Sequence, residues 1–305
     1  MAFTAGVVSW YAGAARDLPW RKPGIGAYAV LVSEVMLQQT PVARVLPAYE
    51  AWLDRWPQVT ALAGAEVGEA VRMWGRLGYP RRALRLHAAA VVVRDRFAGV
   101  VPVRVDELLT LPGVGDYTAR AVAAFAHRQR QAVVDTNVRR VVARAREGVA
   151  DAPVNRRALE LVESLLPDDA DAAATAGAAL MELGALVCTA RAPRCDSCPV
   201  RTGCAWHARG RPALDQPLRR PPAYAGSDRQ VRGRLLALVR DAAGPVGRDL
   251  LEQVWDEPVQ RNRALASLLL DGLLVELPGG GYSLPGAGTS AARVSRAGAE
   301  EPPGT

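Results

Sequence analysis

Hydrophobic residues recur every three or four positions through most of residues 1–208, and no segment there sustains the alternation of a β-strand. Proline and glycine interrupt the pattern repeatedly, which predicts many short helices. One helix is predicted over 26–37. The next is predicted to have Thr40 as its N-cap and Pro41 in its first turn, and to run to about Trp56. The pattern therefore predicts an all-α region for residues 1–208.

The pattern changes after residue 208. Residues 209–228 are rich in proline, glycine and arginine and are predicted to form a linker. Residues 229–286 then show three helical segments, 232–241, 249–255 and 261–270, followed by a hairpin around 278–281. That order predicts a small winged-helix-like α+β domain. Residues 287–305 are mostly small and polar and are predicted to be disordered.

The 305-residue chain has a net charge of +7, and half of its residues are hydrophobic, enough for a sizeable core. Arginine supplies nearly all of the basic charge, which favours contacts with phosphate groups. No apolar run reaches the 18 residues of a membrane span, and the N-terminus does not resemble a signal peptide. These features argue against a membrane protein and predict a cytoplasmic one.

The only four cysteines lie close together, with six, two and five residues between them: Cys188, Cys195, Cys198 and Cys204. Structural zinc sites usually draw on two separated Cys-x2-Cys pairs. A single compact loop with four thiolates can instead enclose a cubane iron–sulfur cluster. The spacing therefore predicts a [4Fe–4S] cluster, with zinc as the alternative.

A glycine-containing turn, LPGVG at 111–115, lies between two predicted helical segments within 108–125. Gly113 and Gly115 would let the backbone approach a phosphate closely, and the start of the following helix would direct free N–H groups toward it. Such a turn alone is more often only a connection. With the cysteine loop downstream, it predicts a contact with the DNA backbone.

Four motifs follow one another along the chain: SEVMLQQT at 33–40, LPGVG at 111–115 with YTA at 117–119, VDTNV at 134–138, and the cysteine loop. Together they resemble the MutY-type adenine DNA glycosylases of the endonuclease III superfamily. The resemblance covers residues 1–208 and implies a two-lobed helix-hairpin-helix fold. A six-helix barrel would occupy about 24–132, and a cluster lobe about 1–23 with 133–208. It also implies a monomeric enzyme that excises adenine paired with 8-oxoguanine or guanine in double-stranded DNA.

Two carboxylates are predicted to carry the chemistry. Glu34 lies on an apolar helix, which disfavours its ionised form and suits a general acid. The resemblance implies that Glu34 protonates N7 of the flipped adenine. A helix is predicted over 135–146, with Asp135 or Thr136 as its cap. A carboxylate is favoured at this helix start, and the charge of Asp135 would stabilise an oxocarbenium-like sugar. Asn137 would position Asp135 or the attacking water.

Tyr117 lies two residues after Gly115, where bifunctional relatives carry a lysine that forms a Schiff base. The resemblance therefore implies a monofunctional enzyme. It also implies two groups of binding residues. Trp20 and Arg21 would line the adenine pocket, and the residues contacting or wedging beside the opposite base would be Gln39, Thr40, Leu77 and Tyr79.

The chain departs from the family at two points. Position 178, ten residues before Cys188, holds alanine where relatives often carry a glutamine or glutamate that contacts adenine. The family's Nudix-like C-terminal domain, which reads 8-oxoguanine, is not recognisable in 229–286. We expect this region to assist DNA engagement without being required for excision, because every chemical motif precedes Cys204.

Two other functions compete with this interpretation. A thymine–guanine mismatch glycosylase of the same superfamily can also carry tyrosine at the lysine position, but Gln38 and Gln39 favour the adenine branch. A non-catalytic iron–sulfur DNA-binding regulator would have no use for Glu34 and Asp135 facing a polyanion.

Overall fold

The computed structural model describes residues 2–213 and 223–286, and helices form nearly all of the regular structure in these ranges. The predicted all-α class of the glycosylase region is confirmed. Within the same ranges no helix is both long and apolar enough to cross a membrane. The helices are α1 (Ala2–Ala14), α2 (Ala27–Leu37), α3 (Val42–Arg55), α4 (Val59–Gly64), α5 (Val67–Trp74), α6 (Arg81–Arg96), α7 (Val105–Leu108), α8 (Asp116–Phe125), α9 (Thr136–Val142), α10 (Arg156–Leu165), α11 (Ala170–Leu186), α12 (Ala205–Ala208), α13 (Asp228–Asp241), α14 (Arg248–Glu252) and α15 (Pro258–Leu270).

The chain forms two compact units, each built from segments that are distant in sequence. Among the described residues, the first comprises residues 2–35 and 101–213, and the second comprises residues 36–100 and 223–286. This division groups residues by packing. The domain boundaries expected from the sequence, at 208 and 229, stay predictions.

The core of the first unit is built around α11, which packs against α1 and α9. Small side chains on α11 allow this close approach. A Cβ atom at Gly184 would lie 2.7 Å from the backbone oxygen of Asn137, so a larger residue there would push α9 away. Leu180 and Leu183 fill the interface, and burying each contributes roughly 1.5–3 kcal/mol. This packing positions both the start of α9 and the cysteine loop that follows α11.

The core of the second unit contains a cluster of three tryptophans. Trp52 meets Trp56 and Trp74 edge to face, with ring centroids 4.8 Å and 5.8 Å apart. All three rings are buried. Aromatic pairs in this geometry add about 0.5–1.5 kcal/mol beyond their buried area. The cluster anchors α3 and α5 beside each other.

The C-terminal part of the second unit has the predicted order of elements. After α15, β1 (Val275–Glu276) pairs antiparallel with β2 (Tyr282–Ser283), and Val246 adds an isolated bridge to Tyr282. The helix bounds differ slightly from the predicted ones, since α15 begins at Pro258, where the Glu257 side chain accepts hydrogen bonds from the first turn. Residues 214–222 of the predicted linker and the predicted tail at 287–305 lie outside the described residues.

The predicted role of Thr40 as an N-cap is wrong. Pro41 occupies the N-cap position of α3, and no side chain caps this end. The Thr40 hydroxyl is engaged elsewhere, because it accepts a hydrogen bond from Arg82 at 2.9 Å and lies 3.2 Å from the Leu77 carbonyl oxygen.

Candidate active site and cysteine loop

Glu34 lies on α2, a helix whose residues are apolar at nearly every position. Neighbours along the helix, Val30, Leu31 and Val35, are buried, and Glu34 itself is only 6% exposed. Burial is the main cause that raises the pKa of Glu34 from its ordinary 4.5 to about 7. A carboxylic acid with this pKa holds its proton for much of the time near neutral pH, so Glu34 can act as a proton donor.

Three other predicted residues surround Glu34 within the first unit. A hydrogen bond from Tyr117 lowers the pKa of Glu34, the negative charge of Asp135 raises it, and the positive charge of Arg21 lowers it. Burial raises the pKa of Tyr117 well above its usual value, and the charges of Glu34 and Asp135 raise it further. The phenol therefore stays protonated and donates a hydrogen bond to the Glu34 carboxylate.

Asp135 caps the N-terminus of α9, as the sequence predicts. Its Oδ1 accepts hydrogen bonds from the backbone N–H groups of Asn137 at 2.8 Å and Val138 at 2.7 Å. Its Oδ2 accepts a third from the Asn137 side-chain amide at 2.8 Å. These donors and the positive end of the helix dipole favour a charged carboxylate held in one orientation.

Trp20 and Arg21 lie in a 3-10 turn, Pro19–Arg21, that follows α1. The Trp20 side chain is buried. Arg21 donates to Glu182 at 2.8 Å, and Arg16 donates to the same carboxylate at 2.7 Å and 2.8 Å. Glu182 on α11 is 0% exposed, so it is an anchor that fixes both arginines. Sequence reasoning missed it, although a carboxylate inside an apolar, alanine-rich helix was a usable signal.

The hairpin glycines occupy the connection between α7 and α8. Gly113 has a φ of 81°, which favours glycine, and Gly115 is the N-cap residue of α8. Both are exposed, and a Cβ atom at Gly115 would meet nothing within 4 Å. The backbone here is open to close approach by an anion.

The predicted opposite-base residues Gln39, Thr40, Leu77 and Tyr79 belong to the second unit. Gln39 is exposed and has a φ of 56°, whereas Thr40 is buried. Leu77 is 4% exposed, whereas Tyr79 is 55% exposed with a φ of 48°. Gln39 and Tyr79 therefore present their side chains to solvent, whereas Thr40 and Leu77 support them from the interior.

Arg82 on α6 holds the two loops that carry these side chains. Its guanidinium donates to the carbonyl oxygens of Gln38 at 2.6 Å and Gly78 at 3.0 Å, and to the hydroxyl of Thr40. It also lies 5.5 Å from the ring centroid of Tyr79. This role could not be predicted from local pattern, because Arg82 is one of many arginines with no distinguishing spacing.

The four cysteines line one pocket, which Trp206 and Arg201 also border. Burial raises the pKa of the Cys188 and Cys198 thiols. In the part of the chain that the structure describes, no three His, Cys, Asp or Glu side chains converge as ligands of a single metal ion. Four thiols distributed around one pocket fit the donor set of an iron–sulfur cluster.

Two buried arginines, Arg140 and Arg144, connect the cysteine loop to α9. Arg140 donates to the Cys188 carbonyl oxygen at 2.6 Å and to the Asn137 side-chain oxygen at 2.7 Å. Arg144, in a one-turn π-helix (Ala143–Glu147) after α9, donates to the Thr189 carbonyl oxygen at 2.8 Å and lies 3.5 Å from the Cys188 sulfur. Hydrogen bonds therefore run without interruption from Asp135 through Asn137 to the cysteine loop.

Comparison with known proteins agrees with this geometry. Residues 32–167 match the HhH-GPD superfamily of base excision DNA repair proteins. The chain is 56% identical to the adenine DNA glycosylase of Mycolicibacterium smegmatis over 283 residues, which cover 92% of this chain and 96% of the relative.

Solved structures share the fold of the larger part of the chain. A thermostable thymine-DNA glycosylase matches with a TM-score of 0.62 at 27% identity, covering 68% of this chain and 96% of the other. Endonuclease III in a non-covalent complex with DNA matches with a TM-score of 0.60 at 22% identity, covering 69% and 96%. Because the identity to the mycobacterial relative extends over nearly the whole of both chains, this chain belongs to the adenine DNA glycosylases of the HhH-GPD superfamily of base excision DNA repair proteins.

Proposed function

We propose that the protein hydrolyses the N-glycosidic bond of adenine paired with 8-oxoguanine or guanine in double-stranded DNA, without cleaving the strand. The observation that carries the proposal is the environment of Glu34. This buried acid, with a pKa of about 7, accepts a hydrogen bond from Tyr117 and lies in the field of Asp135. Burial favours the protonated form of Glu34, whereas three hydrogen-bond donors face the carboxylate of Asp135. This is the division of roles that acid-assisted glycoside hydrolysis requires.

In the proposed reaction Glu34 donates its proton to N7 of a flipped adenine. The bond between C1′ and N9 breaks, and its electron pair leaves with the neutral base. The Asp135 carboxylate, oriented by Asn137, stabilises the positive charge on the sugar until water adds to C1′ and its released proton returns to the ionised Glu34. The products are free adenine and an abasic site. Tyr117 is a phenol and forms no Schiff base, so the strand stays intact.

The remaining predicted residues support the binding of DNA. Trp20 and Arg21 would line the adenine pocket, with Arg21 fixed by Glu182. Gly113 and Gly115 would contact a phosphate of the backbone. Exposed Tyr79 and Gln39 would contact the opposite base, and stacking of an aromatic ring repays part of the few kcal/mol that base flipping costs.

We also propose that Cys188, Cys195, Cys198 and Cys204 hold a [4Fe–4S] cluster. The support is that the four thiols share one pocket, with Arg144 near the Cys188 sulfur. When bound, the cluster would tie the cysteine loop into one rigid structure beside α9. The family resemblance implies a monomer. Because the proposed substrate is double-stranded DNA, we infer a nucleoid-associated enzyme of the cytoplasm.

A single-turnover excision assay tests the proposal. Duplexes containing A·8-oxoguanine, A·G or T·G are incubated with excess protein, and strand breaks are scored with and without alkali. We expect adenine excision from the first two, alkali-dependent breaks, and little covalent trapping by borohydride. Glu34→Gln should lose excision, and Glu160→Gln on the exposed face of α10 should not. Excision of thymine from T·G alone would instead support the alternative function of a thymine–guanine mismatch glycosylase; one structural neighbour is a thymine-DNA glycosylase.

A further inference from the structure

Two helices of the second unit, α5 and α13, cap each other's C-terminal ends. Arg72 on α5 donates to the carbonyl oxygen of Arg240 and, at 3.3 Å, to that of Ala242, the C-cap residue of α13. Arg240 on α13 donates in return to the carbonyl oxygen of Gly75, the C-cap residue of α5, at 2.7 Å. The last carbonyl groups of a helix have no partner within it, and positive charge there matches the helix dipole.

The C-terminal domain, residues 223–286, also presses against the other end of α5. A Cβ atom at Gly68 would lie 2.6 Å from the Pro285 carbonyl oxygen and 2.9 Å from the Leu284 Cβ atom. Only glycine fits at this distance without moving the backbone. Arg240 is 8% exposed, so its contact with Gly75 is shielded from water. The C-terminal domain therefore holds both ends of α5.

The segment that follows α5, residues 75–79, is the recognition segment, because it carries Leu77 and Tyr79. Arg240 fixes its first carbonyl group, at Gly75. Trp74 and Arg82 each donate to the Gly78 carbonyl oxygen at 3.0 Å, which fixes its end. Tyr79, with its positive φ, is thus presented from a segment held on both sides.

The charge of the C-terminal domain does not favour a role in binding phosphates. Residues 223–286 contain seven arginines and eight acidic residues. Several of these arginines are engaged in ion pairs inside the domain, including Arg232 with Asp271, Arg248 with Glu252 and Arg263 with Asp228. The contacts with α5 therefore indicate a role other than phosphate binding, and the expectation that this region assists DNA engagement stays a prediction.

We propose that the C-terminal domain is a brace for the recognition segment, and that Arg240 is the positioning residue through which it acts on opposite-base discrimination. The inference rests on the proposed contact between Tyr79 and the opposite base. Arg240 itself contacts no DNA in the proposed mechanism. Arg240 fixes Gly75, where the recognition segment begins, and thereby the position from which the exposed Tyr79 reaches the opposite base.

The test compares Arg240→Ala, Arg240→Lys and Gly68→Ala in the full-length protein with Arg248→Ala as the control. Arg248 is an exposed arginine of the same domain that pairs with Glu252. Hydrogen exchange of residues 75–79, measured without DNA, reports on the brace alone. Single-turnover excision from A·8-oxoguanine and A·G duplexes, over a range of enzyme concentrations, reports on discrimination.

We expect Arg240→Ala to speed exchange in the recognition segment about tenfold, as loss of one hydrogen bond from a charged donor predicts. Gly68→Ala should also speed this exchange, because the added Cβ atom would push Leu284 and Pro285 away from α5. The preference for 8-oxoguanine over guanine should fall several-fold, while the rate at saturating enzyme stays within about twofold. Arg240→Lys keeps the charge at the helix end and should recover part of the preference. Arg248→Ala should change neither readout.

Unchanged exchange at 75–79 in folded Arg240→Ala and Gly68→Ala proteins would overturn the brace. Faster exchange with an unchanged base preference would overturn the role of Arg240 in discrimination and leave the proposed excision of adenine standing. If the wild-type protein excises adenine from none of the duplexes, the proposed function is refuted. If exchange at residues 75–79 is still faster in the variants, the brace stands. The two readouts therefore separate the inference from the function on which it rests.

Discussion

Replacing Glu34 with glutamine should stabilise the folded protein at pH 8 while it abolishes excision. The folded-state pKa of Glu34, about 7, lies above the 4.5 of an exposed glutamate, mainly because of burial. Below pH 4.5 Glu34 is protonated in both the folded and the unfolded state, so its burial adds no ionisation penalty to the free energy of unfolding. As pH rises from 4.5 to 7 the unfolded chain ionises first, so the free energy of unfolding falls.

The size of the change in the free energy of unfolding follows from the difference between the two pKa values, 4.5 and about 7. Each pH unit within it costs about 1.4 kcal/mol, so the total penalty carried by the wild-type protein at pH 8 is about 3 kcal/mol. Glutamine has no such penalty, since it does not ionise. Loss of the proton donor should meanwhile reduce the excision rate about 10²–10⁴-fold.

Urea unfolding of the two proteins, followed by circular dichroism at pH 4.5 and at pH 8, measures the difference. We expect the stability of Glu34→Gln relative to wild type to rise by about 3 kcal/mol between these pH values. Glu160→Gln, an exposed change on α10, should run parallel to wild type. If Glu34→Gln also runs parallel to wild type, Glu34 is not a protonated buried acid, and the catalytic argument fails.

Asp135→Asn should lower the rate of adenine release at least 10²-fold with DNA binding retained, because it removes the charge facing the sugar; near-normal single-turnover excision would contradict the role. Tyr117→Phe removes a hydrogen bond that lowers the pKa of Glu34, so the midpoint of the pH–rate profile should move to higher pH, and a midpoint that stays or falls would argue against the pairing. Purified wild-type protein should contain about four iron and four sulfide per chain by chemical analysis, and Cys198→Ser should lose most of both; stoichiometric zinc would refute the cluster. Glu182→Gln should destabilise the fold by about 3 kcal/mol in chemical denaturation, because Arg16 and Arg21 lose a fully buried counterion. A change below about 1 kcal/mol would show that Glu182 is not an anchor for these arginines.

Sequence reasoning was most successful where chemistry restricts the residue type. The helical class and the cap at Asp135 followed from local pattern, because capping and helix periodicity depend on neighbours within four positions. The association of Glu34 with Tyr117 and Asp135 came from the family resemblance. Periodicity could not supply it, since these residues are separated by about 80 and 100 positions.

Other features depend on tertiary contacts that no local pattern encodes. Thr40 resembles an N-cap residue, yet its hydroxyl is taken by Arg82 from a helix more than 40 residues away. Leu77 was grouped with Tyr79 by resemblance, but one side chain points inward and the other outward. The reciprocal caps of Arg72 and Arg240 could not be predicted, because they join segments separated by 168 residues.

The discontinuity of the second unit has a consequence for how the chain folds during synthesis. Residues 36–100 emerge from the ribosome long before residues 223–286, which complete their packing. At about 5–20 residues per second, α5 waits on the order of 10–40 seconds for α13 and the C-terminal strands. During that interval the face of Gly68 and the carbonyl end of α5 are open to solvent or to a chaperone. The newly synthesised enzyme should therefore fold its first unit well before its recognition segment is fixed, and discrimination of the opposite base should mature last.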